Sequence, residues 1–275
     1  KGKRVLIRAE WGLGDMIQFM RYAKILKHAG ATVILQAFDP LLQLFKRCDF
    51  LDGVIGQHDS IPPVDIHIPL LSLPLICGTI LETIPADIPY IFADPILIDY
   101  WHEKLKSDEN LKVGICWHSK PIYIEDHMFT RRSIALEEFI PLALEHVSFY
   151  SLQKEFGTDE IQKIASSPLA VATFDDDFDV SHGRFSDTAA VIMNMDLVIT
   201  ADTSIVHVAG ALGKQVWVLL PYAAEWRWLP SHPKYAHSSS TPWYPNMRLF
   251  RQTTPGDWTA VIHEVRQALI KLVKK

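Results

Sequence analysis

Along the chain, short apolar runs alternate with stretches in which apolar positions recur every three or four residues. That pattern belongs to successive strand–helix units. Lys3-Arg-Val-Leu-Ile-Arg8 predicts a first strand and Trp11-Gly-Leu-Gly14 a turn. Asp15–Gly30 follows as a helix, with Ile17, Met20, Ala23, Ile25 and Leu26 apolar and a glycine to stop it. Ala31–Phe38 predicts a strand, Pro40–Lys46 a short helix, and Val54-Ile55 and Val64–Ile68 two more strands. Prolines recur from 62 to 95, which reads as loop and broken helix, and Ile96–Lys106 reads as a helix. After the polar gap Ser107-Asp-Glu-Asn110 a second series begins. Val113–Trp117, Val147–Leu152, Ala170–Phe174, Met195–Ile199, Val216–Leu220 and Arg248–Arg251 read as strands. Leu136–Leu144, Asp159–Ser166, Asp187–Met193, the segment ending at Gly213, and Asp257–Lys271 read as helices. Two consecutive β-α-β series predict an α/β protein of two Rossmann-like, doubly wound domains facing a cleft. The expected division is 1–108, 109–256, and a C-terminal helix at 257–275 packing back toward the first domain.

Composition narrows the function classes. With 275 residues, 48% apolar and 21% charged, the chain can bury a full core. A net charge of −5 without clustered Lys or Arg argues against a nucleic-acid partner. No apolar run reaches a membrane-spanning length, so peripheral membrane contact is the most that is expected. Cys48, Cys77 and Cys116 are scattered in apolar surroundings and read as small buried hydrophobes in a reducing compartment, so a cytoplasmic location is expected. The chain opens on Lys1 rather than Met, which fits a piece of something longer. There is no His-Glu-x-x-His, no Cys/His ligand spacing and no Gly-x-Ser-x-Gly, so neither a zinc site nor the commonest hydrolase signature is expected.

The candidate chemistry gathers at strand-to-helix turns. Asp202-Thr203-Ser204 with His207 opens the helix that Gly213 ends, and a helix start offers backbone N–H groups, two hydroxyls and an imidazole to an anion. The same residues also fit a capped helix with a buried histidine. Gly12-Leu-Gly14-Asp15 brings a close-approach backbone and a carboxylate to another such turn, although Ile17 stands where a dinucleotide fingerprint needs glycine. Asp15 fits equally a carboxylate stabilised by the helix dipole. Trp117-His118-Ser119-Lys120 and, further along, Thr130-Arg131-Arg132-Ser133 offer cations for a diphosphate; Gln153 could hydrogen-bond a base or ribose. Asp175–Asp179 reads as a solvated loop rather than a cation site, and Glu225-Trp-Arg-Trp228 with Thr241–Pro245 as an aromatic loop serving either stacking or domain packing.

Taken in order, several segments resemble glycosyltransferase family 9, the heptosyltransferase-like group, in the version found at the C-terminus of bacterial tetratricopeptide-repeat proteins. They are Trp11–Phe19, Ser72-Leu-Pro74, Val113–Trp117, Arg132-Ser133, Ser151-Leu-Gln153, Asp187-Thr-Ala189, Asp196–Ile199, Asp202–Gly213 and Trp243–Arg251. The resemblance implies a GT-B fold and inverting transfer of a sugar from a nucleotide-sugar to an acceptor hydroxyl, with neither obligatory metal nor cofactor. It implies Asp15 as general base and Asp202, Thr203, Ser204, His207 and Arg132, with Lys120 behind it, as donor ligands; Gly14, Trp117, Ser119 and Gln153 complete the expected donor site by their places at turns and strand ends. It further implies tetratricopeptide repeats upstream in a parent chain, and a glycan, a lipid-linked saccharide or a protein as acceptor. The sequence departs from the classical heptosyltransferases in its acceptor-side half, in Ser204 where they carry glycine, and in Arg132 where they carry lysine. Two other functions stay open on the residues: a catalytically idle binding module of the same fold, and a nucleotide-sugar epimerase.

Overall fold

The computed structural model describes residues 1–119 and 132–274. Two all-parallel sheets organise the chain. The first lobe holds β1 (Arg4–Arg8), β2 (Thr32–Ala37), β3 (Gly53–Gly56) and β4 (Ile66–Pro69), in the spatial order β3-β2-β1-β4. Helices α1 (Leu13–Phe19), α2 (Ala23–His28), α3 (Leu42–Phe45) and α4 (Leu73–Ile76) connect or follow these strands, and α5 (Pro95–Leu105) closes the segment. The second lobe holds β5 (Leu111–Cys116), β6 (Val147–Ser151), β7 (Val171–Ala172), β8 (Leu197–Ala201), β9 (Val216–Leu220) and β10 (Met247–Arg251), ordered β10-β9-β8-β5-β6-β7. Its helices are α6 (Glu160–Lys163), α7 (Ser186–Met193), α8 (Ser204–Ala211) and α9 (Trp258–Val273). β8 and β9 are buried at every position, as strands of a parallel sheet covered on both faces must be.

The helix expected over 15–30 is interrupted. Met20–Tyr22 tightens into a 3-10 turn, where the buried Arg21 donates from Nε to the Gln18 carbonyl at 2.8 Å. Leu136–Leu142 is 3-10 rather than α, with Pro141 inside it and unable to donate a backbone bond. The Asp175–Asp179 run is not wholly solvated: Asp179 is buried and accepts from the Thr188 amide at 2.9 Å and the Thr188 hydroxyl at 2.6 Å, bracing the start of α7. Among the described residues the buried face of the C-terminal helix packs on the second lobe, not back toward the first as expected. Val261, Ile262, Val265 and Leu269 of α9 bury against Phe139, Leu142, Trp217 and Phe250 of the second.

The lobes share one core. α1 packs along α8 and α5 along α7, and a continuous cluster of buried side chains runs from Val5 and Ile17 to Val206, Trp228 and Tyr244. Polar contacts stitch the same seam. Trp101 Nε1 donates to Asp187 Oδ1 at 2.8 Å, and the Tyr90 amide donates to the Ala211 carbonyl at 3.0 Å. Because α1 follows β1 and α8 follows β8, the seam brings the carboxyl ends of both central strands together. Ligands of doubly wound sheets bind at such strand ends. Among the described residues no helix is long and apolar enough to cross a membrane.

Candidate functional site

α8 starts because Thr203 leaves the strand extended and caps it, its Oγ1 accepting from the Ile205 amide at 3.2 Å. The Val206 amide bonds the Thr203 carbonyl at 3.2 Å. The first turn is therefore less open than its sequence promises, and the half-buried Ser204, with its amide and hydroxyl, is what it presents to an anion. At the far end Gly213 takes a left-handed φ of +83°, which stops the helix as expected.

Gly14 meets this turn from the other lobe. A Cβ placed there would lie 2.9 Å from His207 Cδ2 and 3.7 Å from Ser204 Cα, so only glycine lets α1 approach so closely. The imidazole cannot retreat, since its Nδ1 sits 3.0 Å from the Tyr244 hydroxyl and its ring stacks on Trp228 at 5.9 Å. Gly14→Ala is expected to cost about 1–3 kcal/mol by overpacking, read as a lower urea midpoint; an unchanged midpoint would show that the seam yields freely.

Asp15 lies in the first turn of α1. Its Oδ2 accepts from the Gly12 amide at 3.1 Å and its Oδ1 from Arg227 Nη2 at 2.7 Å. Arg227 Nη1 donates to Gln18 Oε1 at 2.7 Å, so one guanidinium of the second lobe grips two side chains of the first. Arg227 comes from the 3-10 turn Trp226–Trp228 and is absent from the residues singled out by sequence, where this segment reads only as an aromatic loop. An arginine between two tryptophans, just beyond a central strand, is the one local hint of it.

Asp202 is buried, and among the described residues its Oδ2 lacks a hydrogen-bond partner of good geometry. Arg132 Nη1 lies 3.9 Å from it and 3.7 Å from Glu225 Oε1, too far for hydrogen bonds. Burial pushes the Asp202 carboxyl above its ordinary 3.8, against the pull of Arg132 and Arg227. A carboxyl raised in the fold contributes its full stability below pH 3.8 and loses it as pH climbs through the raised value. Asp202→Asn, neutral throughout, is therefore expected to gain in melting temperature relative to the parent protein as pH rises above 3.8. A difference that is flat or reversed over that rise contradicts the assignment. His207 moves the other way: burial, reinforced by Arg227, Arg21 and Arg132, holds it well below 6.5, so it stands as a neutral imidazole at neutral pH.

Two further expected donor residues, Trp117 and Gln153, are engaged elsewhere. Trp117 is fully buried in the second-lobe core beside Ile134 and Phe139, so its ring does not face the site. The Gln153 amide is spent on the chain itself. Its Oε1 accepts from the Trp117 amide at 3.1 Å and the His118 amide at 2.9 Å, while Nε2 donates to the His118 and Phe156 carbonyls at 3.1 and 2.8 Å. It braces the loop after β5 rather than offering itself to a base or ribose. The Ser119 amide donates to the Ser133 hydroxyl at 3.3 Å, which brings Ser119 near the residue that follows Arg132. Lys120 and Arg131 lie outside the described residues. Two surface cavities, of about 610 and 250 Å³, lie away from these groups, one along Val147–Tyr150 and the other between Arg47 and His182. The convergence of charge, not volume, marks the site at the α1–α8 seam.

The same arrangement of lobes recurs in known proteins. Residues 182–258, which hold α7, α8 and the Arg227 turn, match glycosyltransferase family 9 (heptosyltransferase). A glycosyltransferase family 9 structure from Veillonella parvula superposes with a TM-score of 0.69 at 13% identity, covering 99% of this chain and 97% of that one. The ADP-heptose lipopolysaccharide heptosyltransferase II of E. coli superposes with a TM-score of 0.65 at 12% identity, covering 98% and 99%. Among curated proteins, Protein FlbA of Caulobacter vibrioides is 26% identical over 98% of this chain, which spans 46% of FlbA's length. The fold is GT-B, as the motifs imply, and the family match supports a glycosyltransferase.

Proposed function

We propose that the protein is an inverting, metal-independent glycosyltransferase that moves a sugar from a nucleoside-diphosphate sugar to an acceptor hydroxyl. The observation that carries this is the meeting of two helix starts, Asp15 on one and Ser204 on the other, with Gly14 in contact between them. Asp15 takes the acceptor's proton as its oxygen attacks the anomeric carbon from the face opposite the diphosphate. The bond from that carbon to the diphosphate oxygen breaks, and its electron pair leaves with the nucleoside diphosphate. The α8 dipole, the Ser204 amide and hydroxyl, and the Arg132 guanidinium stabilise the charge that gathers there, and they do so without reorganising. Two arginines close to the α8 start, Arg132 and Arg227, supply positive charge of the kind a divalent cation contributes in other transferases. The reading extends to a cytoplasmic protein whose parent chain carries tetratricopeptide repeats, as the motif resemblance implies.

The test is a melting-temperature screen against ADP, GDP, UDP and their common sugar conjugates, followed by analysis of products with and without added acceptor glycans. A ligand present at about 100 times its Kd stabilises the fold by about 2.7 kcal/mol, well within detection. Stabilisation by at least one nucleoside diphosphate, with sugar transferred only when acceptor is present, is the expected result. No shift with any of them overturns the donor reading, and sugar isomerisation without acceptor makes the protein an epimerase.

A further inference from the structure

Arg227 is placed to do two things at once. Its guanidinium carries five N–H donors in a fixed fork, and it is nearly buried, with 10% of the side chain exposed. One edge holds Asp15 Oδ1 and Gln18 Oε1, both at 2.7 Å. On the second-lobe side it feels the charges of Asp202 and Glu225, the carboxylates that also lie nearest Arg132. Its neighbour Trp228 stacks on His207, which fixes the Trp226–Trp228 turn against α8. The guanidinium thus ties the carboxylate of α1 to the second-lobe turn that packs on His207 of α8.

Resting on the glycosyltransferase reading, we propose that Arg227 is a phosphate ligand that also clasps Asp15, so that the donor diphosphate and the Asp15 carboxylate compete for one guanidinium. With Oδ2 on the Gly12 amide and Oδ1 clasped by Arg227, the carboxylate faces the guanidinium where an acceptor hydroxyl would have to approach. A diphosphate seated at Ser204 presents more negative charge than one carboxylate and draws the fork toward α8. Asp15 Oδ1 is then released where the acceptor hydroxyl must arrive. Donor binding prepares the base, and an acceptor arriving first meets an occupied carboxylate. The order of addition follows: donor, then acceptor.

Competition for one group has a thermodynamic signature that a structural role lacks. The experiment is a calorimetric cycle on the full chain, using whichever of ADP, GDP and UDP binds most tightly to the parent protein, Asp15→Asn, Arg227→Ala and the double variant. Asp15→Asn, which frees Arg227, is expected to tighten nucleotide binding about tenfold, the scale of one charge-assisted hydrogen bond. Arg227→Ala is expected to weaken it by about the same factor. In the Arg227→Ala background, the Asp15→Asn gain should vanish. Should Arg227→Ala not fold, Arg227→Lys, which keeps the charge and loses the fork, is expected to show a reduced gain. An equal gain in both backgrounds means simple removal of negative charge and overturns the competition. Unchanged affinity in Arg227→Ala overturns it too. Failure of all three nucleotides to bind the parent protein overturns the donor reading itself, and the inference with it.

Discussion

Asp15→Asn is expected to abolish sugar transfer while leaving nucleotide binding at least as tight as in the parent protein. An amide keeps the size of the side chain but cannot take a proton. Losing a positioned base costs about 10²–10⁴-fold in turnover. The substitution also leaves Arg227 without its anionic partner but keeps Gln18 Oε1 as an acceptor at 2.7 Å, so the seam should persist with little loss of stability. Single-turnover transfer from the nucleotide-sugar that stabilises the fold is the measurement. Full turnover in the variant removes Asp15 from the chemistry. A loss of nucleotide binding that parallels the loss of turnover assigns it to donor recognition instead.

The largest effect on stability is expected at a residue with no catalytic role. Arg21 is buried, and its guanidinium donates to the Pro85 carbonyl at 2.9 Å, the Trp243 carbonyl at 2.7 Å and the Tyr90 hydroxyl at 2.9 Å. It also lies over the rings of Tyr244 at 4.4 Å and Tyr90 at 4.7 Å. Arg21→Met fills similar space but leaves two main-chain carbonyls unpaired, at about 1–3 kcal/mol each. It also removes cation–π contacts worth about 2 kcal/mol when desolvated. Relief from burying a charge offsets part of this, so the net loss is expected to be about 2–4 kcal/mol. Because Arg21 joins α1's trailing turn to the second-lobe segment at Trp243, the loss falls on the lobe seam. Urea unfolding should show a lower midpoint; an unchanged one would mean that the seam is held by apolar packing alone.

Much of the architecture is legible in the sequence because parallel strands announce themselves. Val5-Leu-Ile7, Leu197-Val-Ile199 and Val216–Leu220 are uninterrupted apolar runs, and each is buried within a strand. The α8 helix is legible to within a residue, since Asp202 or Thr203 at its start and Gly213 at its end mark it by local chemistry, and Thr203 is the cap. What escapes is set by contacts between residues far apart in sequence. Arg227 and Asp15 are separated by 212 positions, and nothing near either one specifies the other. Gln153 sits at a strand end like a ligand-binding residue. Only the path of the loop after β5 shows its amide to be engaged by the chain at both ends. Trp117 follows β5 directly and turns into the core, and register of that kind is fixed by tertiary packing rather than by the run itself. The break at Met20–Tyr22 likewise depends on what surrounds Arg21, which the helical period does not reveal.

The central claim is that a nucleoside diphosphate is held by the first turn of α8 within reach of Asp15. A crystal structure of the protein with the best-binding nucleoside diphosphate tests it most directly. The expected result places phosphate oxygens within hydrogen-bond distance of the Ser204 amide and hydroxyl, beside the Arg132 and Arg227 guanidinium groups. Nucleotide bound instead in the cavity between Arg47 and His182, or along Val147–Tyr150, with the α1–α8 seam unchanged, would contradict it.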